Sequence, residues 1–111
     1  MIINQKEIVL LPFPFSDLEG TRVRPALVVS NDELNKKSDY CIMVPLTIVI
    51  KDEPYSVVID QKDLSSGKLL KPSRIRTDKI FCVKKDMVNM KIGVINNQVL
   101  EKVKIEIQKM F

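Results

Sequence analysis

The sequence predicts a mainly β fold: a small, partly closed barrel of short strands with one helix packed on it at the C-terminal end. Three observations carry that expectation. Short apolar runs recur at close spacing from Ile8 to Lys84, separated by Pro, Gly, Asp and Ser. After Asn97 the apolar residues shift to spacings of three and four, the period of an amphipathic helix. The chain is 45% hydrophobic but only 5% aromatic and has no Trp, so its core must be built mostly from Ile, Val and Leu. A length of 111 residues suggests one domain over residues 1–111, long enough to bury a core without disulfides or metal.

The elements follow in order. Ile8 to Phe13 reads as a first strand, ended by Pro12 and Pro14, and residues 16–22, with Asp17 and Gly20, as a loop. Val23 to Ser30 is a second strand whose start lies at an edge or a bulge, because Pro25 has no N–H for a ladder. Asn31 or Asp32 caps a short helical turn through Lys37. Asp39 to Ile50 is a third strand broken at Pro45, and Ser56 to Asp60 a fourth. Asp63 to Gly67 reads as a turn, while Ser73 to Arg76 and Lys79 to Lys84 are two short strands or one bent strand. Asn96 or Asn97 caps the final helix, whose stripe is Val99, Leu100, Val103, Ile107 and Met110, with Ile105 off it.

Several functions are poorly supported. With no histidine, the usual near-neutral acid–base group is missing. Cys41 and Cys82 stand alone in apolar stretches and read as small buried hydrophobes, and no Cys/His cluster suggests a metal, so neither metal nor cofactor is expected. Three glycines in the chain leave no phosphate-cradling loop. No run nears the ~18 apolar residues of a membrane span, and Glu7 and Pro12 flank too short an apolar run for a signal peptide, so a cytoplasmic location is expected. The net charge of +4 permits a nucleic-acid partner without requiring one.

Taken residue by residue, the polar groups are ordinary. An Arg before a Pro at a strand start is most often a surface ion-pair partner, Thr47 is a common strand residue, and Asp17 with Gly20 makes a turn. Arg74 and Arg76 share a face and either track a phosphate backbone or solubilise an edge. Lys36, Lys37, Lys84 and Lys85 read as solvated surface.

Four segments in order change the weighting: Glu7-Ile8-Val9 leading to Phe13-Pro14-Phe15-Ser16-Asp17, then Arg24-Pro25-Ala26-Leu27-Val28-Val29-Ser30-Asn31, then Val44-Pro45-Leu46-Thr47, then Ser73-Arg74-Ile75-Arg76-Thr77-Asp78-Lys79. In this the chain resembles the PemK/MazF toxins of toxin–antitoxin pairs, nearly end to end. The resemblance implies an SH3-like barrel that forms a homodimer and cuts single-stranded RNA without metal, leaving 2′,3′-cyclic phosphate and 5′-hydroxyl ends. It also implies a cognate antitoxin that blocks the site with a disordered, often acidic segment. The key Arg falls on Arg24, the key Thr on Thr47 and the loop Asp on Asp17; Phe15, Thr21, Arg22, Pro25, Asn31, Arg74, Arg76 and Thr77 are the further expected RNA contacts, the arginines lining a basic groove. Two positions depart from the pattern: Lys6 stands where many members have Gly, and Ile48 where many have a second hydroxyl residue.

The chemistry is compatible with these residues. Attack by the 2′-hydroxyl needs a base, a proton for the leaving 5′-oxygen, and stabilisation of a crowded phosphorane. Arginine is a poor base but clamps phosphate oxygens with a fork of N–H donors. Arg24 therefore takes chiefly the electrostatic role, with proton donation to the leaving oxygen open to it as well, and Thr47 a hydrogen bond to a non-bridging oxygen, with the base open among Asp17, Glu19 and water. Two rivals stand beside this reading: a non-catalytic CcdB-like toxin that binds DNA gyrase, and a silent RNA- or antitoxin-binding module.

Overall fold

The computed structural model describes residues 1–12 and 23–111. Its strands are β1 (Glu7–Pro12), β2 (Val23–Val28), β3 (Tyr40–Thr47), β4 (Ser56–Ile59), β5 (Leu64–Gly67), β6 (Ser73–Arg76), β7 (Phe81–Lys84) and β8 (Met90–Ile95). Helix α1 (Asp32–Lys37) joins β2 to β3, and α2 (Asn97–Gln108) closes the chain. The strands form one antiparallel sheet in the order β4-β6-β3-β2-β1-β8-β5, with β7 paired to β3 off that path, curled into a half-barrel. No helix among the described residues is long and apolar enough to cross a membrane.

The central strands read as continuous apolar runs because both their faces are buried. Ile8, Leu27, Val44, Leu46 and Ile75 face one core, which Val99, Leu100 and Val103 of α2 cover. Their neighbours Val9, Ala26, Val28, Cys41 and Met43 face a second core, where Ile3, Leu11 and Val88 join them and Phe81 and Val83 of β7 pack. Each fully buried aliphatic contributes about 2 kcal/mol of transfer free energy. Both helices start on an asparagine cap: the Asn31 side chain accepts from the Leu34 N–H and the Asn96 side chain from the Val99 N–H, each at 2.9 Å. Ile105, off the stripe, is 52% exposed.

β3 divides one of its edges between two partners. Tyr40 to Met43 pairs with β7, and Leu46 and Thr47 pair with β6. The Ile42 amide and carbonyl both turn toward β2, the amide donating to Ser30 Oγ and the carbonyl accepting from Val29. By alternation, Pro45 turns toward the other edge, at the gap between β7 and β6, where a donor would find no ladder partner. The expected choice between two strands and one bent strand is thus resolved as two, β6 and β7.

Three expectations need correction. The stretch at 64–67, read as a turn, is strand β5, and β8 was not anticipated at all. Their pairing explains both: Gly67 (φ +83°) lies against Gly93, and a Cβ at Gly67 would stand 2.3 Å from the Gly93 Cα. The Ser-Ser-Gly that suggests a turn is what lets two backbones meet, so tertiary contact overrides local propensity. Cys82, expected to be buried, is exposed. It alternates with Phe81 and Val83, which turn inward, and so it points out from β7.

Lys6, at the position where glycine is frequent in the resembled family, has φ 81°, the left-handed region that suits glycine. Its backbone is held by bonds to Val28 and Ile95, and its Nζ donates to Asn97 Oδ1 at 2.9 Å.

Candidate functional site

The site is built where the β2–β3 ladder stops. Paired residues run from Val28↔Met43 through Leu27↔Val44 to Ala26↔Pro45. The Val28 carbonyl accepts from Lys6 beside β1, so Val28 faces β1 and, three residues away, Pro25 faces β3. The next hydrogen-bonded rung would join Pro25 to Leu46, and Pro25 has no N–H to give it. Carried two residues past the last pair, Ala26↔Pro45, the same register would set Arg24 opposite Thr47. Arg24 is paired on its other side with Leu11, and Thr47 with Arg74, which in turn pairs with Val58. On that register Arg24, Thr47 and Arg74 line up in a transverse row on the neighbouring strands β2, β3 and β6. By alternation the row lies on the face away from α2, since Leu46 and Ile75, beside Thr47 and Arg74, and Leu27, three positions from Arg24, turn to the helix-side core.

Electrostatics distinguish the members of this row. Arg24 is half-buried, and its Nε is enclosed without a hydrogen-bond partner among the described residues. An unpaired buried donor costs roughly 1–3 kcal/mol. Thr47 is also half-buried, and its Oγ1 accepts from the Val49 N–H at 3.1 Å. That bond takes a lone pair and leaves the hydroxyl proton available to donate. Arg74 is only 4% exposed: its Nε donates to the Val49 carbonyl at 3.2 Å and its Nη1 lies 3.6 Å from Glu53 Oε2.

The remaining expected residues fall out differently. Pro25 sits half-buried beside Arg24. Arg76 shares the face of Arg74 but grips both Asp78 oxygens, its Nη2 at 2.8 Å and its Nε at 3.3 Å. Burial pushes the Asp78 carboxyl up, yet the hydrogen bond and charge of Arg76 outweigh it and hold the group below the usual carboxylate range. Thr77, expected as an RNA contact, is fully buried, its hydroxyl donating to the Tyr55 carbonyl at 2.6 Å; it secures the turn before β4 instead. Asn31 caps α1 beyond the far end of β2, seven residues from Arg24, roughly 20 Å at a strand's rise. Phe15, Asp17, Thr21 and Arg22, with Glu19, lie outside the described residues. Sequence reasoning missed Val49 and Glu53, which act here through a peptide group and a loop carboxylate that carry no motif.

Solved structures share this architecture. A mycobacterial endoribonuclease in complex with its cognate antitoxin aligns with a TM-score of 0.78 at 18% identity, covering 96% of this chain and 92% of that one. The MazE–MazF complex of Deinococcus radiodurans aligns at 0.78 and 20% identity over 99% and 96%. The Mycobacterium tuberculosis toxin MazF-mt6 aligns at 0.75 and 14% identity over 93% of each chain. These likenesses define the fold class. No curated protein sequence matches the chain. Its own sequence, over residues 4–111, matches the family of PemK-like, MazF-like toxins of type II toxin–antitoxin systems, and the chain belongs to that family.

Proposed function

We propose that this protein is an endoribonuclease toxin that cuts single-stranded RNA by attack of the 2′-hydroxyl on the adjacent phosphate, and that a cognate antitoxin neutralises it. Family membership supports the toxin role, and relatives of the same fold include endoribonucleases and toxins bound to antitoxin. The observation that carries the catalytic reading is the Arg24 Nε, enclosed without a hydrogen-bond partner among the described residues, on the strand next to that of Thr47. In this reading Arg24 binds non-bridging oxygens and stabilises the charge that grows on the phosphorane, and Thr47 donates its hydroxyl proton to one of them. Single-stranded substrate suits the reaction because the ribose must turn to align its 2′-oxygen with the scissile phosphate. The nucleophile belongs to the substrate, so the reaction requires no metal-bound water. Two copies related by two-fold symmetry would form the RNA groove.

The test is cleavage of a long transcript in EDTA by the protein and by its Arg24→Ala form, with the ends mapped. The unaltered protein is expected to leave 5′-hydroxyl and 2′,3′-cyclic phosphate ends. Arg24→Ala is expected to lose on the order of a hundredfold or more in rate, the effect of removing one preorganised donor. Equal cutting by both would remove Arg24 from the mechanism.

A further inference from the structure

Arg74 was expected among the groups that touch RNA, yet it is as buried as the core around it. Its donors go to the loop that follows Thr47, the Nε to the Val49 carbonyl and the Nη1 toward Glu53. Val49 is secured twice: its N–H is given to Thr47 Oγ1 at 3.1 Å, and its carbonyl receives the Arg74 Nε at 3.2 Å. The loop beyond is fastened by the same guanidinium, with Nη1 3.6 Å from Glu53, and by Thr77, whose amide and hydroxyl both bond the Tyr55 carbonyl. Ile48, Val49 and Ile50 are exposed, so packing of their side chains does little to fix this backbone.

We propose that Arg74 is a positioning residue for the Thr47 hydroxyl, acting through the Val49 peptide groups, and not an RNA contact. This rests on the ribonuclease reading above. A hydroxyl that accepts one fixed N–H is restricted in where its own proton can point. Holding the Val49 carbonyl fixes the direction of the neighbouring N–H, and with it the lone pair that Thr47 commits. The proton is then aimed along the row toward Arg24, where the phosphate oxygen would lie. Misaiming a transition-state donor lowers turnover and leaves ground-state binding largely intact.

The experiment is steady-state cleavage of a short single-stranded RNA by Arg74→Met, Glu53→Gln and Thr47→Val and by Arg74→Met combined with Thr47→Val. Binding is measured in parallel as a function of salt. Arg74→Met is expected to lower kcat by roughly tenfold to a hundredfold, with KM within about twofold and the salt slope unchanged. It should cost nothing further once Thr47 is already Val. Glu53→Gln, at a half-exposed position that does not endanger folding, should lower kcat in the same direction by less, and it decides the matter if Arg74→Met does not fold. Unchanged kcat would overturn the inference. So would a raised KM with a log–log salt slope shallower by ~0.7, the mark of a lost phosphate contact on a single strand, or additive losses in the double variant. If the unaltered protein cuts nothing, or Arg24→Ala cuts as well as it does, the ribonuclease reading fails first and separately.

Discussion

Replacing Arg24 by Met should make the protein more stable while it stops cutting RNA. The reason is local. Arg24 Nε is enclosed without a hydrogen-bond partner among the described residues, and an unsatisfied buried donor costs roughly 1–3 kcal/mol. Met keeps a stem of similar length against Leu11, its partner on β1, so little packing is lost. Arg24 as a whole is only half-buried, which favours the low end: a gain of about 1 kcal/mol, or about 4 °C in midpoint for a chain of this size. The assay is urea unfolding of both forms, read by circular dichroism, with the slope m compared to ensure that the unfolded ensembles match. RNA cleavage by the same preparations supplies the second coordinate. An Arg24→Met protein that is less stable than its parent at unchanged m would refute the reasoning, since the guanidinium would then be serving the fold and not waiting for a ligand.

Two other outcomes are expected. Val103→Ala, which empties part of the core between α2 and the sheet, should lower stability by about 2 kcal/mol in urea titration, and it should leave kcat unchanged below the unfolding transition because the row lies on the other face. The Cys41 thiol is pushed up to about 11, by burial first and then by the neighbouring Cys82, with Lys85 opposing. The unfolded thiol ionises near the ordinary 9.0, so the unfolded state gives up its proton first as pH rises. This stability contribution is therefore complete below pH 9 and declines between 9 and about 11. Cys41→Val should flatten that part of the pH dependence of the urea midpoint; the same decline in both forms would exclude Cys41 as its source.

What could be read in the sequence was what depends on period and on local backbone chemistry. The final helix and its asparagine cap, the apolar runs of β1 to β4 and the disruptive effect of Pro25 and Pro45 all follow from spacing or from a missing N–H. β5 and β8 escaped for a complementary reason. Leu64-Ser65-Ser66-Gly67 has the composition of a turn, and only the approach of the Gly93 backbone makes it a strand. Cys82 escaped because an apolar neighbourhood in sequence does not say which side of a strand is covered. At the site, the motifs brought forward Arg24 and Thr47, which stand on the neighbouring strands β2 and β3. They could not separate Arg74 from Arg24, because both are arginines on the same face; burial and bonding partners distinguish them. Asn31 belongs to the same run as Arg24, yet a strand's length divides them.

The polar row and the helix-side core lie on opposite faces of one sheet. On its helix side, Leu27, Leu46 and Ile75 pack under Val99, Leu100 and Val103, and this side holds no member of the polar row. On the other side, at the rim of the second core, are Thr47 and Arg74 beside Leu46 and Ile75, and Arg24 three positions from Leu27. A strand alternates its side chains, so the same three strands carry the helix-side core and the polar row. The row would be an unfavourable feature in an unbroken ladder, where each guanidinium would be held against a closed surface. Pro25 interrupts the rungs one residue from Arg24, so the donor that finds no partner lies where the ladder gives way. An orphaned donor there is a cost to folding, and on the ribonuclease reading proposed above an anion that reaches this guanidinium would recover it. That coupling predicts a specific signature: inorganic phosphate or a non-cleavable RNA should stabilise the parent protein more than Arg24→Met, because only the parent has an unmet bond to satisfy.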